Sequence, residues 1–444
     1  MSPERIDPSD ALKKLFERRG SASRAAAPEA LFQSSPGSSA DAAAQKKSGS
    51  GSPGSNGGML GGWGRKATQA VRLLAERFPL RGSPRGAVIG VDQGTAALKT
   101  VRLEPAADGR LRLTSATLHE WGVGAEGDLA REALFQEQMR VLRRQGRLDG
   151  AVVLGFHHRD MLVETIRLPK MPPEELDQAV LWEAKERLSV KTEQSVVRHI
   201  ATGETTVEGQ VQMDILVISL PKEPLLAYWR PLAEMGLKVA AVEPIGLAAF
   251  YPLEGLNLWK PTEVVGHLEI GMKMSHLNLI RGGTVRFSRT FQVAGDSVTK
   301  AIADYCQADY AAAEGMKLRH GISKMALEED RRETGHASED RVRVSHALGL
   351  HLEQLVAEIE HSFRYFAFEL GGTDAQRMDR LLITGGGGLL KYLPEFLTSR
   401  LSVPVEVVDP LRGLQVDSKV QGELEAGWAQ RLAVAVGLAS RQVK

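Results

Sequence analysis

The sequence has little of what secreted, cysteine-ligated or nucleic-acid-binding proteins require. Cys306 is its only cysteine, which excludes an intramolecular disulfide and any multi-cysteine metal site. The formal net charge is +1 over 444 residues, so no bulk electric field favours binding to nucleic acid. No run of about 18 apolar residues is present, and the first residues lack the apolar core of a secretory signal. We therefore expect a cytoplasmic protein with no membrane span of its own.

The first 84 residues differ in composition from the rest of the chain. Residues 33–64 are almost entirely Ser, Gly, Ala, Pro, Lys, Asn and Asp, a composition that predicts disorder. Two short basic amphipathic segments, residues 10–19 and 65–78, flank this stretch. Segments of this kind bind a partner groove or an anionic membrane surface, or else they fray in water. We expect the globular part of the chain to begin near residue 85.

From residue 87 onward, segments with strand-like and helix-like patterns follow one another. Residues 87–121 predict three antiparallel strands with a hairpin turn at Asp108-Gly109. Further strands are predicted at residues 150–156, 161–168, 199–202, 211–220 and 238–242. Helices are predicted at residues 129–147, 174–188, 223–235, 298–318, 350–370 and 423–441, and a charged surface loop at 323–343.

Three turns that contain glycine are the most informative features. The first two follow apolar strands and read Asp92-Gln93-Gly94 and Glu269-Ile270-Gly271, and each leads into a second strand. The third, Gly385 to Gly388, connects a strand to a helix. Glycine lets backbone N–H groups approach a ligand, and a neighbouring acid can hold a metal-bound water near phosphates. The three turns together predict a cleft that binds a nucleotide from both sides.

Each of these features also has a plainer interpretation. Asp92 and Glu269 are the kind of residue that caps a hairpin turn, and a glycine run can be a flexible connection. Glu314 and Lys317 are three residues apart on a predicted helix, the spacing of an ordinary surface ion pair. Trp182 is predicted to lie opposite the apolar stripe of its helix and to pack on the same domain or on a partner.

The order of these segments resembles the actin/hexokinase/Hsp70 ATPase superfamily and, within it, the type IV pilus assembly PilM family, which is related to the FtsA family. The resemblance covers residues 87 to 444. It rests on an ordered set of stretches, among them IGVDQGTAALKTVRL, LPKMPPEELDQAVLWEAKERLSV, GGTVRFSRTFQVAGDSVTKAIA and LLITGGGGLLKYLPEFLTSRLSVPVEVVDPL. It implies an α/β, actin-like (ribonuclease H-like) fold of two lobes with the extra subdomain of FtsA and PilM proteins.

The resemblance also implies domain boundaries, a cofactor and site residues. The expected domains are a tail at 1–84, a first lobe at 85–260 with the extra subdomain at about 160–220, a second lobe at 261–425, and a C-terminal helix at 426–444 that packs back on the first lobe. The expected cofactors are ATP and Mg²⁺, with Asp92 and Glu269 near the metal. The nucleotide-binding residues implied are Asp92, Gly94, Thr95 and Lys99 in the first loop, Glu269, Gly271 and Gly295 around the second, Glu314 and Lys317 beside the ribose and adenine, and Gly385, Gly386 and Gly387 in the adenosine loop.

Two loops depart from the family pattern. Ala96 and Ala97 stand where hydroxyl-bearing serines are usual. The second loop carries Met272-Lys273-Met274, where small residues are usual, so bulky thioethers crowd the place of phosphate oxygens. Lys273 can pair with a phosphate or fill its place. These departures leave nucleotide binding open and lead us to expect an ATPase that is weak at most.

The function that the resemblance implies is a cytoplasmic assembly platform of a type IV pilus or a related secretion machine. Such a platform recruits the cytoplasmic N-terminal peptide of a PilN-like bitopic inner-membrane protein, meets other pilus assembly proteins, and is peripheral to the inner membrane through its partner. Two alternatives stay open at this point. One is an FtsA-like filament-forming, membrane-tethered cell-division protein, and the other is a small-molecule kinase, which requires a positioned aspartate as general base.

Overall fold

The computed structural model describes residues 86–121, 128–207, 209–256, 258–322, 339–369 and 377–441. The predicted tail at 1–84 and most of the predicted charged loop lie outside these residues. The strands are β1 Val88–Gln93, β2 Ala97–Pro105, β3 Leu111–Glu120, β4 Ala151–Phe156, β5 Leu162–Pro169, β6 Ser195–Val207, β7 Gln210–Pro221, β8 Lys238–Pro244, β9 Val264–Ile270, β10 Ser275–Arg281, β11 Thr284–Phe291, β12 Arg380–Thr384, β13 Val405–Val407 and β14 Gln415–Val416.

Helices of very different length connect these strands. They are α1 Asp128–Arg144, α2 Pro173–Glu186, α3 Lys222–Glu234, α4 Ile245–Ala248, α5 Tyr251–Glu254, α6 Gly295–Cys306, α7 Tyr310–His320, α8 Glu339–Glu369, α9 Leu393–Leu401, α10 Ser418–Glu423, α11 Trp428–Arg431 and α12 Ala433–Arg441, with short 3₁₀ turns at Thr192–Gln194 and Gly386–Leu389. Within the part of the chain that the structure describes, no helix is both long and apolar enough to cross a membrane.

Two of the three sheets in the described residues repeat one strand order. The first sheet runs β14-β3-β2-β1-β4-β8, and the second runs β11-β10-β9-β12-β13. In each, three antiparallel strands are followed by parallel partners, β4 and β8 in the first sheet and β12 and β13 in the second. This duplicated ribonuclease H-like order is that of the actin-like fold expected from the sequence. The predicted hairpin is also confirmed, because β2 and β3 pair antiparallel up to Pro105 and Leu111, and the Gly109 N–H donates to the Ala106 carbonyl at 3.0 Å in the turn.

The third sheet, ordered β5-β7-β6, has α2 packed on one face. Its buried apolar cluster includes Ile166, Leu176, Val180 and Ile215, so the apolar stripe predicted for α2 does face a core. Strand β6 is much longer than the predicted segment at 199–202, and its register with β7 shifts between Ala201 and Gly203. A Cβ atom added to Gly203 at this shift would lie 1.6 Å from Arg286 Nη1, so a side chain here would displace the guanidinium.

Buried charges join the third sheet to strand β11 of the second sheet. Asp214 of β7 is 4% exposed and accepts from Arg167 Nε at 2.8 Å, and Arg286 Nη1 of β11 lies 3.5 Å from its other carboxylate oxygen. The Thr165 hydroxyl donates to the Arg286 carbonyl at 2.7 Å. Because a buried carboxylate is costly unless paired, this network fixes the third sheet against β11.

Two helices predicted as continuous are divided, and both predictions were wrong in this respect. The predicted helix at 298–318 breaks into α6 and α7 at Gln307, which adopts a left-handed conformation with φ of 54°. Asp309 then starts α7, since its carboxylate accepts from the Ala312 N–H at 2.7 Å. The predicted helix at 423–441 begins only after Gly427, whose φ is +83°, as α11, and it is interrupted at Leu432 before α12.

The last helix packs closely on the first sheet. A Cβ atom added to Gly90 of β1 would lie 2.0 Å from the Ala435 carbonyl oxygen of α12. A Cβ atom added to Gly437 would lie 1.7 Å from the Ala248 carbonyl oxygen of α4. Both glycines therefore allow backbones to approach at distances that a side chain would prevent.

Candidate functional site

The first turn joins the ends of β1 and β2 and contains an internal ion pair. Asp92 is 3% exposed, and its Oδ2 atom lies 2.7 Å from Lys99 Nζ on the adjacent strand. The indole N–H of Trp121 donates to the Gly94 carbonyl at 2.8 Å and so holds the turn from the other side. Thr95 is half-buried in the same turn. The four residues predicted for the first loop therefore lie together, and Trp121 is an anchor that the sequence analysis missed.

The acidic residue of the second turn, Glu269, is influenced by charged residues of the first turn. Glu269 lies at the end of β9, and burial raises the pKa of its carboxyl to about 8, with Lys99 lowering it and Asp92 raising it. The Glu269 carboxyl is therefore influenced by both members of the ion pair in the first turn. Near neutral pH it is largely protonated, because burial disfavours its charged form.

The backbone of the second turn is already hydrogen-bonded within the protein. The Gly271 N–H donates to the Met274 carbonyl at 3.0 Å and closes the turn on itself. The Gly295 N–H donates to the Gly271 carbonyl at 3.1 Å, and the Asp296 N–H donates to the Met272 carbonyl at 2.7 Å. The first turn of α6 therefore uses its N–H groups on the loop, although helix N-termini commonly bind anions.

Helix α7 carries Glu314 and Lys317, and both residues lie beside the start of α6. Lys317 Nζ lies 2.6 Å from Glu314 Oε2, so the ion pair of the plainer interpretation is present. Lys317 also donates to Thr299 Oγ1 at 2.8 Å and to the Gly295 carbonyl at 3.3 Å. These contacts connect α7 to the start of α6 beside the second turn, so Glu314, Lys317 and Gly295 lie close together.

The glycines of the third turn differ in how closely other atoms approach them. Gly385 has φ of +85°, and a Cβ atom there would lie 2.5 Å from the Ile270 carbonyl oxygen and 2.7 Å from Glu269 Oε1. A Cβ atom on Gly387 would lie 2.2 Å from Ile270 Cγ2. A Cβ atom on Gly386 would instead meet Arg431 Cγ at 3.5 Å, an ordinary contact. Gly385 and Gly387 are therefore needed for packing on the second turn, whereas a Cβ atom on Gly386 would be accommodated.

A family model described as type IV pilus assembly protein PilM matches residues 90–443. The chain belongs to the PilM family. This membership confirms the resemblance found in the sequence.

One solved structure is clearly similar to this PilM-family chain. It is described as a PilM–PilN type IV pilus biogenesis complex, with 26% sequence identity, a TM-score of 0.64, and coverage of 81% of this chain and 100% of the other. Two others match weakly. The ethanolamine utilization protein EutJ from Carboxydothermus hydrogenoformans has 13% identity and a TM-score of 0.42, over 84% of this chain and 98% of its own. The structure of MreB5 of Spiroplasma citri bound to ADP has 13% identity and a TM-score of 0.42, and the match covers 80% of this chain and 95% of the MreB5 chain. A comparison with curated protein sequences finds no match.

The acids of this PilM-family site suit a metal ion that arrives with phosphates. In the ranges that the structure describes, no group of three or more His, Cys, Asp or Glu side chains could hold a metal ion by itself. Asp92 and Glu269 are two carboxylates, and Mg²⁺ is usually bound through one or two carboxylates plus water and substrate phosphates. The residues present therefore fit a Mg²⁺ ion whose other ligands are water and nucleotide phosphates, and they do not fit a metal site made of protein side chains alone.

Beside Glu269, the second sheet carries a buried polar layer that the sequence analysis missed. His267 Nε2 lies 2.9 Å from Thr384 Oγ1, and His276 Nδ1 lies 2.8 Å from Thr290 Oγ1. Asn278 Nδ2 donates to the Gly246 carbonyl of α4 at 2.8 Å. Burial lowers the pKa of both histidines to about 3. The sequence did contain a sign of this layer, because polar residues recur at every second position. Positions 267 and 269 of β9 and positions 276 and 278 of β10 therefore lie on the same face of the sheet.

These histidines make stability depend on pH. Their pKa of about 3 in the folded protein is below the ordinary 6.5, so the unfolded chain binds more protons between these values. We expect the free energy of unfolding to fall as pH decreases from 6.5, by up to about 1.4 kcal/mol per pH unit for each histidine. Glu269 acts in the opposite sense, since its raised pKa makes stability decrease as pH rises from 4.5 to about 8.

Urea denaturation at pH 7 and pH 5 measures this effect. His276→Gln should lose less stability on acidification than the parent protein, because one proton-binding difference is removed. The exposed His346 is the matched control, and His346→Gln should keep the parent slope. Equal slopes in all three proteins would contradict the expectation.

Proposed function

We propose that this PilM-family chain is a cytoplasmic assembly platform of a type IV pilus or a related secretion machine. It recruits the cytoplasmic N-terminal peptide of a PilN-like bitopic inner-membrane protein and works with other pilus assembly proteins. Its association with the inner membrane is peripheral, through that partner. The observation that supports the proposal is the similarity to the PilM–PilN complex over 100% of that chain at a TM-score of 0.64.

The partner peptide docks beside the third sheet, within residues 161–220. Strand β7 is central in this sheet, and β5 and β6 lie at its edges, where an extended peptide can add. Helix α2 presents Leu181 and Trp182, which are 46% and 45% exposed, on the side away from its buried stripe. Large aromatic side chains of this kind often contribute most to the affinity of an interface.

The three turns bind ATP with Mg²⁺. Gly94, Thr95 and Gly386 would border the nucleotide, and Asp92 and Glu269 would hold the metal. Lys317 would keep Gly295 in place at the second turn through its bond to the Gly295 carbonyl. The bound Mg²⁺ supplies charge neutralisation for the phosphates. Nucleotide binding of this kind makes the protein a structural ATP-binding platform.

The purified protein should have almost no ATPase activity. Phosphoryl transfer depends on groups that position water, metal and the terminal phosphate. The N–H groups of Gly271 in the second turn and of Asp296 at the start of α6 are bonded to carbonyls, and Met272 and Met274 offer no hydroxyl. We expect turnover far below about 1 s⁻¹, measured as phosphate release.

The control for this assay is Gly386→Leu, which fills the open side of the third turn. Any phosphate release that persists in this variant comes from contamination. A rate of roughly 1–100 s⁻¹ that the variant abolishes would show an efficient enzyme and contradict the expectation.

A further inference from the structure

Arg431 lies between the third turn and the first. It ends α11, and its Cγ atom is the nearest neighbour of a Cβ atom placed on Gly386, at 3.5 Å. Its Nη2 atom lies 2.7 Å from Glu120 Oε1 at the end of β3. Glu120 is followed by Trp121, whose indole holds the Gly94 carbonyl. The Arg431 side chain therefore lies beside Gly386 of the third turn and bonds to the residue that precedes Trp121, the anchor of the first turn.

The backbone that carries Arg431 is fixed to the third turn. The Gly385 N–H donates to the Gln430 carbonyl at 3.1 Å, one residue before the arginine. The Leu432 N–H donates to the Trp428 carbonyl at 3.0 Å and closes α11. Arg431 is thus positioned by the same hydrogen bond that shapes Gly385, and its long side chain is the part that can change partner.

The basic residues of the site differ in how firmly they are paired. Lys99 is 14% exposed and its partner Asp92 is 4% exposed, so breaking that pair would leave a buried carboxylate without its cation. Lys317, 13% exposed, is bonded to Glu314, to a hydroxyl and to a carbonyl. Arg431 is 25% exposed, and its partner Glu120 is 65% exposed. Because Glu120 is mostly in solvent, Arg431 can exchange this carboxylate for another anion without leaving a buried charge unpaired.

We propose that Arg431 binds a phosphate group of the nucleotide and leaves Glu120 when it does so. This inference rests on the proposed nucleotide site and adds to it a residue that selects phosphorylated ligands over nucleosides. The planar guanidinium fork matches two phosphate oxygens, which a lysine cannot do. Glu120 competes with the ligand for the same guanidinium and keeps it in place in the absence of nucleotide.

The test is to titrate the full-length protein with ATP and with adenosine by calorimetry. Arg431→Ala should weaken ATP binding about tenfold, as expected for the loss of a charge-assisted hydrogen bond, and leave adenosine binding unchanged. Arg431→Lys should fall between the parent and the alanine variant. Glu120→Gln should tighten ATP binding, because the competing carboxylate is gone.

The pair Arg400–Glu353 is the matched control, since it has the same 2.7 Å distance and lies between α9 and α8. Arg400→Ala should bind ATP like the parent protein. Thermal melting checks that each variant folds. If Arg431→Ala fails to fold, Glu120→Gln decides, and unchanged or weaker ATP binding in that variant overturns the proposal.

Two outcomes separate this proposal from the proposed function. If the parent protein binds ATP and Arg431→Ala binds it equally well, the role of Arg431 is wrong while the nucleotide site stands. A loss that is as large for adenosine as for ATP also overturns the role in phosphate binding. If the parent protein binds neither ATP nor adenosine, the nucleotide part of the proposed function fails, and the role of Arg431 fails with it.

Discussion

Gly386→Leu should abolish ATP binding, with a loss of affinity of at least about 100-fold, or about 2.7 kcal/mol. The reason is where the new side chain goes. A Cβ atom on Gly386 makes an ordinary 3.5 Å contact with Arg431 and no closer one, so the fold should accept the leucine. The rest of its side chain would then compete with the proposed nucleotide for the space beside this turn. Titration with a fluorescent ATP analogue measures the loss.

Two glycine variants make this result interpretable. Gly422 of α10 has no heavy atom within 4 Å of an added Cβ atom, so Gly422→Leu should fold and bind ATP like the parent protein. Gly387→Leu should lower the melting temperature instead, because its Cβ atom would lie 2.2 Å from Ile270 Cγ2. If Gly386→Leu melts normally and binds ATP as tightly as the parent, the nucleotide does not occupy this space.

The second large effect concerns the membrane partner. Aspartate at both Leu181 and Trp182 should reduce co-purification of the PilN-like protein by at least about tenfold, since buried apolar contacts at an interface are lost and charges are added. Deletion of residues 1–84 should leave the partner bound, because the tail lies outside the region that matches the PilM family. Co-purification from membrane extract, quantified against the parent protein, measures both effects.

Leu350→Asp is the matched control for the partner experiment. This leucine of α8 is 61% exposed, more than either residue of α2, and it lies outside the third sheet. The variant should keep the partner and the parent melting temperature. Loss of the partner on deletion of the tail alone would move the binding site out of the globular part of the chain and overturn the proposed docking position.

Features encoded by neighbouring residues could be predicted from the sequence. The strand pairs around the first two turns follow from apolar alternation interrupted by an acid and a glycine, and their register brings Asp92 opposite Lys99. Glu314 and Lys317 meet because a helix places residues three apart on one side. The break between α6 and α7 was also readable, since Asp309 is a helix-capping residue within the predicted helix.

Features that depend on distant residues could not be predicted in this way. Arg431 and Glu120 are 311 residues apart, and their contact exists because the chain returns from the second sheet to the first. Trp121 gave no sign that it would hold Gly94. The raised pKa of Glu269 is a result of burial, which a single sequence does not specify for an acid in a turn. The roles of individual glycines likewise became clear only from what lies opposite each one.

The ion-pair network around Asp214 has a consequence for how the two proposed ligands affect each other. Arg286, which that network holds, lies on β11, and the chain continues from β11 directly to Gly295 and the start of α6. A peptide that displaces the third sheet therefore acts through one strand on the second turn. Thermodynamic linkage then requires reciprocity: whatever factor the peptide applies to nucleotide affinity, the nucleotide applies to peptide affinity. The platform would thereby couple nucleotide occupancy to partner retention without any turnover.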